Sequence, residues 1–461
     1  MNAAASLLAG DAGPVCHFEI IRAKNRPRMA SSQSSLDYNS KAQRRFVVLV
    51  LVSCLFLQRF GFPASGTEIS VAVPITGLMA VWYLAKRVLV FDANRLAIML
   101  GLVGIALLSF NLQVNNPSAT VTRTSVPSLI SWLGMTSFAV LRFSKPMDER
   151  VFFGLVTRCL SWIAIFGIAA FLAQFAGVRL FSFEGFLPDK YSFEPMYHVV
   201  IAMPGSGIIR ANGFFLVEPS VFSQFMALGL ACEWINERRT AVLILFLFAL
   251  FAAISGTGWL VVGTFVLSLS LVSGGRGLAL GIIFSCCCAV AFFVIGFVLP
   301  EVTNELIART GEFWAPGSSG YGRFATPIMA LGQMFRTQPM ALLTGLGPGS
   351  SQTMAAITYE YGTSSPGKIL LEYGVFGLIA YTALILANRR TQAQKVVLWP
   401  LLSILVLGGA YDHFAPVLFP VLLIGTVANL CSMETRVVAA RSPGNNGAPA
   451  TSYNRTVFRG S

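Results

Sequence analysis

Charge is what this sequence has least of. Asp, Glu, Lys and Arg make up 11% of its 461 residues, against roughly 25% in a soluble domain, and that excludes ordinary globular packing over most of the length. Histidine is scarcer still: His17, His198 and His413 are too dispersed to suggest a metal site. No glycine-rich loop ending in Lys-Ser or Lys-Thr is present, which argues against ATP hydrolysis. The first 30 residues lack a basic stretch followed by an apolar run, so no cleaved signal peptide is expected. Internal repeats are not evident either.

What is present is apolar. Hydrophobic residues make up 55% of the chain, and the mean hydropathy is +0.69. About twelve segments are greasy enough to cross a bilayer, most of them near the roughly 17–25 residues this requires. They are 46–62, 69–85, 95–112, 127–142, 151–176, 219–235, 240–254, 258–273, 278–299, 369–387, 396–410 and 414–432. The segment 240–254 is short and open to a tilted or partly re-entrant reading. An all-α integral membrane fold with about twelve transmembrane helices follows.

The basic residues orient it. Arg22, Lys24, Arg26, Arg28, Lys41, Arg44 and Arg45 precede the first segment. Every second connection is then basic: Lys86, Arg87 and Arg95; Arg142, Lys145, Arg150 and Arg158; Arg238 and Arg239; Arg276; Arg389, Arg390 and Lys395; and the tail from Arg436 to Arg459. Positive loops stay on the cytoplasmic side, so a multi-pass inner-membrane protein with both termini cytoplasmic is expected. The net charge of +13 is spread over short loops and tails, which suits anionic lipid headgroups rather than nucleic acid.

Three regions result. Residues 1–45 read as a disordered cytosolic tail, 46–432 as the membrane domain and 433–461 as a second disordered tail; the Ser-, Gly- and Asn-rich composition carries the assignment of the tails. The first span is expected to act as an uncleaved signal anchor. Seven of the eight cysteines fall in or beside apolar segments, Cys16 lies in the first tail, and none lies in an outer loop where disulfides form. The run Cys286–Cys288 carries no metal spacing and reads as lipid or packing contact.

Function is therefore sought in two long outer loops, about 177–218 and 300–368. The first carries Phe181, Phe183, Phe186 and Tyr191, either an interfacial aromatic belt or platforms for sugar rings. It ends in Arg210-Ala-Asn-Gly-Phe-Phe-Leu-Val-Glu218-Pro219-Ser220. Pro219 suits the first turn of a helix, and a helix start offers free N–H groups to an anion. Glu218 there reads either as a complement to the helix dipole or as a base or hydroxyl ligand. Arg210 is costly at this depth unless it serves something.

The second loop holds Arg309, flanked by Glu305 and Glu312, and then Ser-Ser-Gly-Tyr-Gly-Arg323. Residues 324–335 have apolar positions at helical spacing but are too few to span, so an amphipathic helix is expected, lying on the outer surface or packed over the bundle. A glycine-rich turn, Gly345-Leu-Gly347-Pro-Gly349, follows. The next span opens with Lys368 and Glu372 one turn apart, which reads first as an ion pair and secondly as a site residue. Arg323 reads as a phosphate ligand or as an interfacial arginine reaching for headgroups. Asp412 and His413, in a short outer turn, read as a turn or as an acid–base pair.

Together these stretches resemble the O-antigen polymerase and ligase superfamily. The likeness rests on Gln58-Arg-Phe-Gly-Phe-Pro, the Arg210–Ser220 stretch, Ser255-Gly-Thr-Gly258, Tyr-Gly-Arg323-Phe, Leu-Thr-Gly345-Leu-Gly-Pro-Gly and Leu-Leu-Glu372-Tyr-Gly374-Val-Phe-Gly377, across roughly residues 45–430. The resemblance implies a membrane glycosyltransferase with a GT-C-like bundle and two long periplasmic loops. It would use undecaprenyl-diphosphate-linked glycan as donor and acceptor, with no cofactor and a separate polysaccharide co-polymerase setting chain length. The ligases carry a His shortly before the Glu-x-Gly stretch; here Thr363–Pro366 contains none, which favours a Wzy-type exopolysaccharide polymerase of xanthan type. On that reading Arg323 and Arg210 hold the diphosphate, Glu218 orients or deprotonates the acceptor hydroxyl, and Arg309, Glu372, Asp412 and His413 contribute to substrate binding. A ligase and a flippase or exporter for the same glycan are the alternatives.

Overall fold

The computed structural model describes residues 30–64, 67–115, 124–178, 191, 208–298, 311, 314–316, 318–351, 364–387, 391–407, 414–427 and 430–431. Each of the twelve apolar segments falls on a helix. Three helices are by themselves long and apolar enough to cross a membrane: α3 (Ala93–Val114), α5 (Glu149–Ala173, extended by a 3-10 turn to Ala176) and α11 (Ser365–Leu386). Shorter apolar helices join them, among them α2 (Ala72–Ala85), α4 (Val126–Ser137), α7 (Thr240–Ala253), α12 (Gln392–Leu407) and α13 (Phe414–Val427). At 1.5 Å per residue α7 is only ~21 Å long, short of a ~30 Å hydrocarbon core.

The centre of the bundle is α6 (Pro219–Asn236), buried on every side from Val221 to Glu233. It packs against α5, α7, α12 and the helical segment α8 (Gly256–Val298). A helix apolar all round belongs in a core rather than at a boundary, and Phe222, Phe225, Met226 and Leu228 fill that core. Gly229 lets Phe246 of α7 pack against the helix, since a Cβ there would lie 2.5 Å from the ring.

α8 is helical through 43 residues, but it is not a straight rod. A straight helix would hold Val266 and Gly281 about 22 Å apart. Instead a Cβ on Gly281 would meet Val266 Cγ1 at 2.8 Å and Ser270 Oγ at 3.1 Å. The chain therefore folds back between them, which separates the two apolar segments 258–273 and 278–299.

Several expectations are corrected. α1 runs Ala30–Phe56, so it begins inside the stretch read as a disordered tail and stops short of residue 62. Once an apolar helix has nucleated, extending it backward through Ala, Ser, Gln and Leu costs little. The chain then turns through Gln58 and Arg59 into an antiparallel hairpin, β1 (Gly61–Ala64) with β2 (Thr67–Ser70). Two further short ladders join connections to the ends of expected spans: β3 (Leu89–Phe91) with β4 (Leu141–Phe143), and β5 (Met147–Asp148) parallel to β6 (Leu430–Cys431). These ladders are two to four residues long, and the fold remains that of an all-α membrane protein.

The connections sort into two sets. Gln43 donates to Lys145 O at 2.7 Å, Arg142 pairs with Asp92 at 3.5 Å, Thr391 donates to Glu149 at 3.1 Å, and Gln394 donates to Leu430 O at 3.1 Å. These all belong to the basic, alternate connections. Arg95, counted with them, is fully buried: its Nη1 donates to Ala139 O at 2.7 Å and Gly425 O at 3.4 Å, tying α3 to α13. The other connections meet one another in the site described next.

Candidate functional site

The Arg210–Ser220 stretch is held by its backbone. Gln174 and Ile209 exchange two hydrogen bonds of 2.8 and 3.1 Å, and Ala211 N–H donates to Ala252 O at 2.9 Å. Asn212 Oδ1 accepts from Phe214 N–H at 2.9 Å, closing a turn in which Gly213 and Phe214 both adopt positive φ, 74° and 62°. Arg59 Nε donates to Leu216 O at 2.8 Å from the far side, and Phe56 packs on Phe215 with ring centroids 4.8 Å apart. Arg210 and Asn212 are buried in this turn.

Glu218 then stands in extended backbone at the N-cap of α6, with Pro219 at the first helical position as the sequence suggests. Its carboxylate accepts from Ser220 Oγ. Ser223 and Thr257 both donate to the carbonyl of Ser220, at 2.8 and 3.3 Å, and their hydroxyls lie 3.3 Å apart. Ser255 Oγ lies 3.0 Å from Thr257 Oγ1. The Ser-Gly-Thr-Gly turn is thereby wedged against the first turn of α6, and Gly258 is required because a Cβ would lie 2.6 Å from that of Ser223. The turn begins at Ile254 with φ 46°, a conformation a β-branched residue adopts only under constraint. Among the described residues four non-glycines have positive φ, and two of them, Phe214 and Ile254, lie close to the Ala211–Ala252 link; such conformations persist only where the surrounding structure holds them.

Burial pushes the Arg59 guanidinium down to about 10, so it stays cationic at neutral pH. At the opposite connections, Glu233 is buried and accepts from Arg239 N, Nε and Nη2 at 2.8 to 2.9 Å. That hydrogen bonding holds the Arg239 guanidinium above its usual value, against its partial burial. This clamp closes the α6–α7 turn.

A second constellation surrounds Glu372. α11 is broken at Gly374 (φ 68°, ψ −170°). The loop Gly345–Gly349, which follows the short helix α10 (Ala341–Thr344), docks on the break: Leu346 N–H donates to Leu371 O at 2.8 Å and Gly347 N–H to Glu372 O at 3.1 Å. Ser109 Oγ of α3 also donates to Glu372 O at 2.8 Å, and Gln113 Nε2 donates to Gly345 O at 3.1 Å. Both backbones approach so closely that a Cβ on Gly345 would strike Glu372 O and one on Gly374 would strike Leu343 O. The Glu372 carboxylate faces Lys368 Nζ at 3.7 Å and accepts from Ser351 Oγ at 2.5 Å. Trp132 of α4 stacks on Tyr373 at 4.0 Å.

The expected site residues thus divide. Arg210 and Glu218 belong to one built region, together with Arg59, Ser220, Ser223 and Thr257. Glu372 stands in a separate, fully buried constellation, its Oε1 facing Lys368 and accepting from Ser351. Arg323 lies in the first turns of α9 (Ser319–Thr337), whose N-cap Ser318 accepts from Tyr321 N–H at 3.1 Å; its side chain is outside the described residues, as are Arg309, Asp412 and His413. α9 is the expected amphipathic helix, burying Ala330 and Met334 and exposing Ile328, Met329 and Phe335. Sequence reasoning gave Arg59 and Thr257 no role, although a basic residue at the end of an apolar run was a signal. The described cysteine side chains are free thiols. Among the described residues no group of three His, Cys, Asp or Glu is placed to hold a metal.

Compared with models of protein families, with characterised proteins and with solved structures, the chain matches none.

Proposed function

We propose that this protein is an exopolysaccharide polymerase of the Wzy type. It joins undecaprenyl-diphosphate-linked repeat units at the periplasmic face of a bacterial inner membrane, which it crosses about twelve times with both termini in the cytoplasm. The observation that carries the reading is the meeting of three motifs of the resemblance, Gln58–Pro63, Arg210–Ser220 and Ser255–Gly258, around the N-terminus of α6. They come from connections that the charge pattern assigns to the outer face, where a diphosphate leaving group would lie.

The chemistry asks little beyond this. Diphosphate leaves readily, and the developing charge is what fixed donors must stabilise. Arg210 and Arg323 supply fork-shaped cations that need no metal or nucleotide. Glu218, half-buried and oriented by Ser220, takes the acceptor hydroxyl's proton as the glycosidic bond forms. A polysaccharide co-polymerase would set chain length from outside this chain.

One observation favours a second reading. Broken helices with buried ionisable residues are characteristic of membrane carriers, and α11 with Lys368 and Glu372 has that form. Deleting the gene and weighing the extracted lipid-linked glycans, with spheroplast treatment to show sidedness, separates the readings. A polymerase leaves single repeats on the outer face and no polymer. A flippase leaves them on the inner face, and a ligase leaves long lipid-linked chains.

A further inference from the structure

Arg59 is 1% exposed, and its Nε reaches across to the carbonyl of Leu216, two residues before Glu218. Phe56 and Phe215 pack on the same approach, and Leu216 and Val217 are buried behind it. The segment from Ile209 to Glu218 is therefore fastened at Ile209, at Ala211 and, nearest its functional end, at Leu216. From the other side Thr257 and Ser223 grip Ser220, whose hydroxyl holds the Glu218 carboxylate. Glu218 thus sits between two clamps, the first of them made by a cation.

A carbonyl needs only a neutral donor. A buried guanidinium is costly to desolvate, and a cation in a low-dielectric region acts over a longer range than in water. We infer that Arg59 is a positioning residue for the transfer step: by holding Leu216 it sets where the Glu218 carboxylate meets the acceptor hydroxyl. The inference rests on the polymerase reading and on Glu218 acting in it.

The test is a double-mutant cycle in membranes supplied with undecaprenyl-diphosphate-linked repeats extracted from the deletion strain. Arg59→Lys and Arg59→Gln shorten the side chain and re-aim or remove the donor that holds the Leu216 carbonyl, and accumulation in the membrane with a monodisperse profile in detergent shows that each folds. The expected result for Arg59→Lys is a drop in kcat of about tenfold to a hundredfold, the scale of a small misplacement of a reacting group, with KM unchanged. Arg59→Gln should be lower again. In a Glu218→Gln background the same Arg59→Lys change should add less than about twofold, because groups that act as a unit are not additive. Wild-type rates in Arg59→Lys, or effects of the two changes that simply multiply, would overturn the inference. So would loss of accumulation in both Arg59 variants, which would assign Arg59 to folding. Wild-type membranes that form no polymer would instead sink the polymerase reading, and this inference with it.

Discussion

Lys368 and Glu372 face one another across a single turn of α11, with 3.7 Å between Nζ and Oε1, and both are shut off from solvent. Their spacing in the chain already suggested a pair. What the fold adds is the break at Gly374 immediately after it and the glycine loop docked on the same turn. The carboxylate, its backbone carbonyl and the loop thus form one joint, with Ser351 and Ser109 as its remaining donors.

Removing one partner of that pair strands a buried charge. Lys368→Met is expected to lower stability by about 3–5 kcal/mol, whereas Lys368→Met with Glu372→Met should recover most of the loss. Thermal denaturation of the purified variants in detergent measures this. A single variant as stable as the double would show that the pair carries no such burden.

The two facing glycines are constrained by backbone rather than by side chains. Gly374→Ala must place a Cβ against the Leu343 carbonyl in a region of φ that L-residues avoid, at about 1–3 kcal/mol before any clash is counted. The variant is expected to accumulate poorly in membranes. Gly332→Ala, on open helix surface, should accumulate at least as well as wild type, since alanine favours helix by roughly 0.8–1.0 kcal/mol.

The reversal within α8 is open to direct chemistry. Cysteines at positions 266 and 281 would stand within disulfide reach, where Cβ atoms are about 3.5–4.5 Å apart. The double substitution Val266→Cys, Gly281→Cys should crosslink under mild oxidation, detected as a bridged peptide by mass spectrometry. A straight helix would give no bridge.

Arginine chemistry separates binding from folding. Arg210→Ala and Arg323→Ala should each abolish polymer while the protein remains in the membrane, and the Lys variants should restore it only partly because the planar fork is lost. Polymer yield per unit of membrane protein is the measurement. Normal yield from both alanine variants would remove the diphosphate assignment.

Much of the scaffold was readable from periodicity and composition because a membrane helix must satisfy its own backbone, so an apolar run of sufficient length is almost a structure. The start of α6 was legible for a similar local reason: Pro219 fits only the first turn. The places where reading failed involve choices between local states of nearly equal energy. Ser- and Ala-rich residues from Ala30 onward accept either coil or helix, and the apolar helix behind them decided it. Leu141 and Leu430 each lie at the end of an apolar run and became strand residues because a partner strand was there to meet them.

By itself the sequence determined that the chain is built of apolar helices with basic residues in alternate connections, because the cost of burying charge in lipid is local and large. Only the tertiary structure decided that Arg59 serves Leu216, that Thr257 grips Ser220, and that Ser351 joins Lys368 at Glu372. Those partners lie between 21 and 157 residues apart, and a hydrogen bond of a few ångströms depends on the packing of whole helices, which no short stretch of sequence encodes.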